Sequence, residues 1–386
     1  MPEAVIVDAV RTPIGRAFKG SLKDFRADEL AAVPIRALVE RNPEVDFAET
    51  VDVMMGAASG VGEQGYNVAR NASLLAGLDH HVPGCTLNRF CASSLQTLRM
   101  AFHAIRAGEG DHYIAAGVEA VSRAGLGAGM ADELKHPKLD GSEGSLYDVY
   151  IPMGVTAENV AERCNVTREQ QDEWAVVSQN RAVDARDSGH FAKEIVPVVL
   201  EDGTEVTQDE GPRPGTTMEV LAGLTSAFRP DGTVTAGNSC PLNDGAAAVL
   251  VMSGEKASAL GLKPRARIVA STVAAVRPEI MGLGPIPAIR ALLEETGMTI
   301  DDVDVVEINE AFAAQIVPCK EELKIGDEKL NPFGGAIALG HPFGMTGARI
   351  MTTLLNDLET LDKQYGIESM CVAGGMGMAM LVERLN

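Results

Sequence analysis

Apolar residues fall at helical spacing in two distant parts of the chain. Leu95, Leu98, Phe102 and Ile105 follow Cys91 at intervals of three and four, and Ile350, Leu354, Leu358 and Leu361 follow His341 in the same way. Each set predicts a helix with one buried face. Each then leads into an apolar run that ends in glycine, Tyr113 to Gly117 and Met370 to Gly374, as expected of a buried strand. Upstream, Ile35-Arg36-Ala37-Leu38-Val39-Glu40 recurs as Ile289-Arg290-Ala291-Leu292-Leu293-Glu294. Both copies lead through an acidic stretch to a β-type run, Val51 to Met55 in one and Val303 to Val306 in the other. The offset is about 250 residues, which marks an internal duplication.

Helix and strand signals alternate in both copies, so the fold class is α/β, with a mainly parallel sheet covered by helices in each half. Between residues 120 and 242 the pattern changes. Gly-rich and charged turns run from Gly125 to Gly144, and a capping box, Thr167-x-x-Gln170, opens a long helix through Trp174 and Val177. This stretch reads as an excursion from the first half. The strand-like run Ala246 to Met252 returns the chain to its sheet, and the Gly261-to-Pro264 turn separates the halves. The expected division is 1–119 with 243–260 as the N-terminal half, 120–242 as an inserted loop domain covering the substrate, and 263–386 as the C-terminal half.

Composition narrows the class of function. With 386 residues, 46% hydrophobic and 23% charged, the chain can bury a core large enough for more than one structural unit. Aromatics make up only 4% while there are 40 glycines, which favours close layered packing of helices and sheets. A net charge of −21 repels phosphate backbones and anionic lipid, so nucleic acid and membrane surfaces are not expected partners. No run approaches the roughly 20 apolar residues of a membrane span, and the last residues, Glu383 to Asn386, do not resemble a peroxisomal address. A cytoplasmic, bacterial enzyme is the expectation. The six cysteines, at 85, 91, 164, 240, 319 and 371, form no CxxC pair, so neither a metal site nor a disulfide framework is expected.

Four segments carry candidate chemistry. Cys91, in Asn88-Arg89-Phe90-Cys91-Ala92-Ser93-Ser94, sits where an extended run gives way to a helix, whose first amides favour an anion and are expected to lower the thiol pKa. His341 lies among glycines in Gly334 to Gly344, a setting that brings backbone close to an imidazole able to take a proton or donate to an oxyanion. The duplication places Cys91 and His341 at equivalent positions, so pseudo-twofold packing brings both to one centre. Cys371 begins Cys371-Val372-Ala373-Gly374-Gly375-Met376-Gly377, a second thiol followed by amides suited to an oxyanion. Asn309, in Asn309-Glu310-Ala311-Phe312, adds a carboxamide that can orient water.

Taken together and in this order, these segments resemble the four active-site blocks of thiolases. Thr233 to Asn238 with Asn243 to Ala246 is similar to the family's coenzyme A loop, and Met153 to Asn159 to its substrate loop. The resemblance runs from end to end. It implies a duplicated layered fold of two similar mixed-sheet halves with helices between and outside. It also implies thiolytic cleavage of a 3-ketoacyl-CoA by CoA, ping-pong through an acyl-cysteine, with CoA as co-substrate and neither a permanently bound cofactor nor a metal. Carried over by residue, Cys91 is the nucleophile, His341 its base, Asn309 the holder of a water, and Cys371 the second acid and base. The amides of Cys91 and Ala373 supply an oxyanion site, and Met153, Ala236, Gly237, Cys240 and Phe312 contact substrate or CoA. A homodimer or homotetramer is implied.

Three departures stand out: Cys240 where many relatives have serine, Thr225 where many have a basic residue, and Ala373 in place of a glycine, whose methyl is expected to restrict the backbone. Ile151-Pro152-Met153 lacks the histidine common before that methionine in biosynthetic members, which resembles the degradative group acting in β-oxidation or a related catabolic pathway. The alternatives are a biosynthetic acetoacetyl-CoA-forming acetyltransferase, a decarboxylating ketoacyl synthase, and a non-catalytic acyl-CoA or lipid-binding protein of the same fold.

Overall fold

The computed structural model describes residues 1–125, 133 and 135–386; part of the Gly-rich stretch expected between Gly125 and Gly144 lies outside the described residues. The strands are β1 (Ala4–Arg11), β2 (Gly15–Arg16), β3 (Val53–Gly56), β4 (Gly84–Leu87), β5 (His112–Ala120), β6 (Val198–Val199), β7 (Glu205–Val206), β8 (Asn243–Ser253), β9 (Ala266–Ala275), β10 (Val305–Ile308), β11 (Tyr365–Val372) and β12 (Met376–Arg384). The α-helices are α1 (Ala27–Arg41), α2 (Val68–Leu75), α3 (Ser93–Ala107), α4 (Val121–Ala124), α5 (Met153–Cys164), α6 (Arg168–Asp187), α7 (Met218–Ala222), α8 (Gly254–Ala259), α9 (Pro285–Thr296), α10 (Ala313–Leu323), α11 (Ala336–Leu339) and α12 (Thr346–Thr360). Among the described residues no helix is long and apolar enough to cross a membrane.

The duplication is written into the strand order. The main sheet runs β10-β11-β12-β9-β1-β8-β5-β3-β4, so from the middle outward β1-β8-β5-β3 is matched by β9-β12-β11-β10. Even the outermost position is matched, since Val306 of β10 bridges Leu330 in parallel just as β3 pairs with β4. The halves are not separate sheets: β1 and β9 pair antiparallel at Val5↔Arg267 and Ile6↔Ala266, across the pseudo-twofold. Nor are they mainly parallel. Among the strand pairs of the described residues only β3·β4, β3·β5 and β10·β11 are parallel; β5·β8, β1·β8, β9·β12 and β11·β12 are antiparallel. The last strand of each half is a return strand. β12 follows β11 after Ala373, Gly374 and Gly375, a connection too short for a parallel crossover.

Alternation along the strands sorts side chains into layers. In β8, Ala247, Val249 and Val251 face a central core, while Ala246, Ala248, Leu250 and Met252 face an outer one beneath α1 and α2. In β12, Met378, Met380 and Val382 face the same central core, and Ala379 and Leu381 face an outer one with α9 and α10. The central core is filled from α3 and α12, including the predicted Leu95, Leu98, Phe102, Ile105, Ile350, Leu354 and Leu358. Leu361 departs from the prediction: it caps α12 and is exposed. The capping box at Thr167 opens α6 as predicted, with Gln170 N donating to Thr167 Oγ1 at 3.2 Å and Thr167 N to Gln170 Oε1 at 2.9 Å.

Helices α3 and α12 meet at their N-termini. Gly347 lies so close to the backbone of Leu95 that a Cβ there has no room, and Ala348 N donates to Ser94 Oγ at 2.9 Å. Gly117 of β5 is likewise pressed between Ser94 and the Gly344 carbonyl. Gly347→Ala is therefore expected to cost about 1–3 kcal/mol in equilibrium urea unfolding, the range for overpacking a filled interior. An unchanged midpoint would contradict the close approach.

Below this crossing lies a buried charged cluster. Glu307 and Glu368 are register partners on β10 and β11, and face Arg349 and Asp357 of α12, with Arg11 and Glu194 beyond and His190 Nε2 3.0 Å from Asp357 Oδ1. Burial raises the pKa of Glu307, Asp357 and Glu368 well above the ordinary carboxyl range. These groups hold protons in the fold to higher pH than in the unfolded chain. Their contribution is complete below pH about 4 and is lost as pH rises through the raised values. Unfolding midpoints are expected to fall on the alkaline side, and Glu368→Gln to flatten that fall; an unaltered slope in the variant would refute this.

Candidate active site

The chain enters α3 through a strained turn. Leaving β4, it forms a 3-10 turn at Phe90–Ala92, and Phe90 has φ 47°, a left-handed conformation costly for a bulky residue. Side chains on both sides hold it there. Asn88 Oδ1 accepts from Phe90 N at 2.7 Å, Ser93 Oγ accepts from Arg89 N at 2.9 Å, and the Ser93 hydroxyl donates to Phe90 O at 2.6 Å. The turn presents Cys91, whose thiol receives the backbone amides of Ala373 and of Cys91 itself.

Those amides favour thiolate, yet they do not win. Burial pushes the Cys91 thiol up to about 12, the two amides pull it back, and the Glu119 carboxylate opposes them. The expectation of a lowered pKa is thus reversed, because a helix start that is also desolvated cannot offset the loss of water. At rest Cys91 is a thiol.

His341 is 1% exposed and held at both ends. Gly340 before it has φ 112° and packs on the Asn243 side chain, whose Oδ1 accepts from His341 N at 3.0 Å. The ring's Nδ1 lies 2.6 Å from Thr346 Oγ1 and its Nε2 3.3 Å from Asn309 Nδ2. Burial, helped by Arg349, pushes the imidazole down to about 3, so it is uncharged near neutrality. Asn309 leaves β10 with its N–H on Ser369 O at 2.9 Å, and its Oδ1 is buried without a partner among the described residues. Next to it, Glu310 accepts from Trp174 Nε1 at 3.0 Å, Ser178 Oγ at 2.6 Å, Asn331 Nδ2 at 2.9 Å and Ile337 N at 3.2 Å, which fixes the strand end against α6 and α11.

Cys371 lies one residue before the end of β11, opposite Gly377, and is fully buried. Desolvation pushes its thiol up, and the neighbouring thiols of Cys91, Cys319 and Cys240 push it further. In the turn that follows, Gly374 and Gly375 have φ 79° and 84°, whereas Ala373 is not left-handed. The alanine that departs from the family pattern therefore carries no such strain. Cys371 also shares an apolar cluster with Ala157, Met281 and Phe312, against which Met153 and Cys240 pack. Cys240 N donates to Ala311 O at 3.0 Å and Ala313 N to Asn238 O at 2.8 Å, which ties the loop carrying Ala236 and Gly237 to the Asn309 segment. Ala236 is exposed, Gly237 half-buried, and Thr225 exposed.

Two groupings result. Cys91 meets Ala373 and Cys371, and His341 meets Asn309; among the described residues no hydrogen bond joins the imidazole to the Cys91 thiol. The groupings are neighbours because β10 and β11 lie in parallel register, Ile308 beside Ser369. Sequence reasoning missed Thr346 and Glu119, and it placed Asn243 in the segment resembling a coenzyme A loop without its contact to His341. Glu119 is buried and accepts from Ala58 N at 2.9 Å, Ser59 N at 3.1 Å, Gln64 Nε2 at 2.9 Å and Gly344 N at 2.8 Å. Its one sequence signal is a carboxylate inside an apolar strand. Glu119→Gln turns an amino group toward backbone donors, and is expected to lower stability by about 1–3 kcal/mol and turnover with it. Wild-type values for both would contradict its role in fixing the Gly344 loop.

Residues 4–255 match the thiolase N-terminal domain family and residues 262–384 the thiolase C-terminal domain family. The chain is 49% identical to a beta-ketoadipyl-CoA thiolase of Pseudomonas aeruginosa over 99% of both, and 47% identical to a 3-ketoacyl-CoA thiolase of Idiomarina loihiensis over 100% of both. Among solved structures it is similar to an acetyl-CoA acetyltransferase of Bacillus anthracis, with TM-score 0.90 and 42% identity over 100% of this chain and 99% of that one. It is also similar to the dimeric peroxisomal thiolase of Saccharomyces cerevisiae, with TM-score 0.93 and 38% identity over 100% and 98%.

Proposed function

The chain belongs to the thiolase family, as an acyltransferase that cleaves 3-ketoacyl-CoA thiolytically with CoA as co-substrate, and from that premise we propose how its side chains divide the reaction. Cys91 passes its proton to His341 and attacks the 3-keto carbon. The bond between C2 and C3 breaks, its electron pair leaves with the acetyl-CoA enolate, and the Cys371 thiol protonates that carbanion. The Cys371 thiolate next takes the proton of incoming CoA, whose sulfur attacks the acyl-Cys91 thioester. Cys91 departs and recovers its proton from His341. The amides of Cys91 and Ala373 stabilise one oxyanion, and His341 with a water on Asn309 the other.

The observation that carries this reading is the meeting of the halves at one sulfur: the Ala373 amide donates to the Cys91 thiol, and the Cys371 thiol is its neighbour. The unpartnered Oδ1 of Asn309 supports a water-holding role. Met153, Cys240 and Phe312, set in the apolar cluster around Cys371, are assigned to the acyl and pantetheine end, and Ala236 with Gly237 to CoA.

In direction we place the enzyme in catabolism. Pro152 stands before Met153 where a histidine marks biosynthetic relatives, and the relative from P. aeruginosa is named for a dicarboxylic substrate. Six-carbon 3-ketoacyl-CoAs, 3-ketoadipyl-CoA among them, are the proposed substrates, in a cytoplasmic homodimer or homotetramer. Steady-state thiolysis of acetoacetyl-CoA, 3-ketohexanoyl-CoA and 3-ketoadipyl-CoA tests this. A higher kcat/KM for a six-carbon substrate is expected; efficient cleavage of acetoacetyl-CoA with negligible cleavage of the other two would instead favour an acetoacetyl-CoA-forming acetyltransferase.

A further inference from the structure

Thr346 is the first residue of α12 and is fully buried. Its hydroxyl lies 2.6 Å from His341 Nδ1 and 2.8 Å from the carbonyl oxygen of Pro342. A carbonyl oxygen only accepts, and a threonine hydroxyl has a single proton to give. Both contacts are hydrogen bonds at once only when that proton points to Pro342 and the ring proton sits on Nδ1. Nε2 is then left with its lone pair. The contact on that side agrees, since the group 3.3 Å away is Asn309 Nδ2, which only donates.

The opposite tautomer is close at hand. The Pro342 carbonyl also accepts from Met345 N at 3.0 Å, so it keeps a partner if the threonine proton turns to Nδ1. Asn309 Oδ1 has no partner among the described residues, so rotating the carboxamide would let it receive a proton on Nε2. The pocket therefore accommodates two arrangements of the same atoms, one with a basic Nε2 and one without. The Asn243 contact holds the backbone of His341 and does not distinguish them.

We infer that Thr346 is a positioning residue for the reaction: its hydroxyl keeps the ring proton of His341 on Nδ1 and so keeps the Nε2 lone pair available to the Cys91 thiol. This rests on the reading of His341 as the base. A donor fixed on one ring nitrogen to set the chemistry of the other is a general device for histidine.

The experiment compares wild type with Thr346→Val, which keeps shape and removes the hydroxyl, Thr346→Ser, which restores it, and His341→Ala. Thr346→Val is expected to lower kcat on the order of 10- to 100-fold with KM for CoA unchanged, in line with loss of a group that orients a histidine. Thr346→Ser should recover most of it. Nitrogen-15 NMR of ring-labelled histidine, with the His341 signals identified by their loss in His341→Ala, should report the Nδ1–H form in wild type. In Thr346→Val the Nε2–H form should gain population. The inference is overturned if wild type shows Nε2–H, if Thr346→Val turns over normally, or if Thr346→Ser is as slow as Thr346→Val. Should Thr346→Val fail to fold, the wild-type tautomer alone decides. Full activity in His341→Ala would remove the base assignment itself, whereas an inactive His341→Ala beside a fully active Thr346→Val would remove only the role of Thr346.

Discussion

Backbone contact between Gly347 and Leu95, at the point where α12 meets α3, fixes where the reactive groups of both halves lie. Each helix begins a few residues after a side chain proposed to react, Cys91 before α3 and His341 before α12. When the two N-termini are pressed together without an intervening side chain, and joined by Ala348 N on Ser94 Oγ, the segments ahead of them converge. Glu119 completes the alignment by holding the Gly344 amide with the amides after β3. The antiparallel return strands do the rest: the turn from β11 to β12 delivers the Ala373 amide and the Cys371 thiol to the sulfur of Cys91.

Such packing has an electrostatic consequence. In a chain of charge −21, the reactive groups are all neutral at rest, because burial raises both thiols and lowers the imidazole. In the proposed reaction, charge separates only when a proton passes from sulfur to nitrogen. Desolvation makes that step costly in the free enzyme, and amides already aimed at the sulfur offset part of the cost without having to reorganise.

Much of this was legible in the sequence, and the exceptions share one cause. The duplication and the helical faces around Leu95 and Leu354 follow from spacing, whereas Met153, Cys240 and Phe312 were singled out only by resemblance, and it is the fold that gathers them near Cys371. What escaped notice depends on contacts between distant segments or on side-chain orientation that only the fold sets. Alternating helix and strand signals could not show that β8 and β12 return antiparallel. A helix start predicts a lowered thiol pKa, but not that the same thiol is desolvated by the other half. Glu119, Asn243 and Thr346 have partners up to 225 residues away, or a ring whose orientation only the fold defines.

The central claim is that Cys91 becomes the acylated residue because the two halves converge on its sulfur. Incubation with acetyl-CoA followed by intact-mass and peptide-level mass spectrometry measures this directly. The account predicts one acetyl group per chain, located on Cys91, discharged on adding CoA and absent from Cys91→Ala. Stoichiometric acetylation at Cys371 or Cys240 instead, or tight acetyl-CoA binding with no adduct at all, would contradict it.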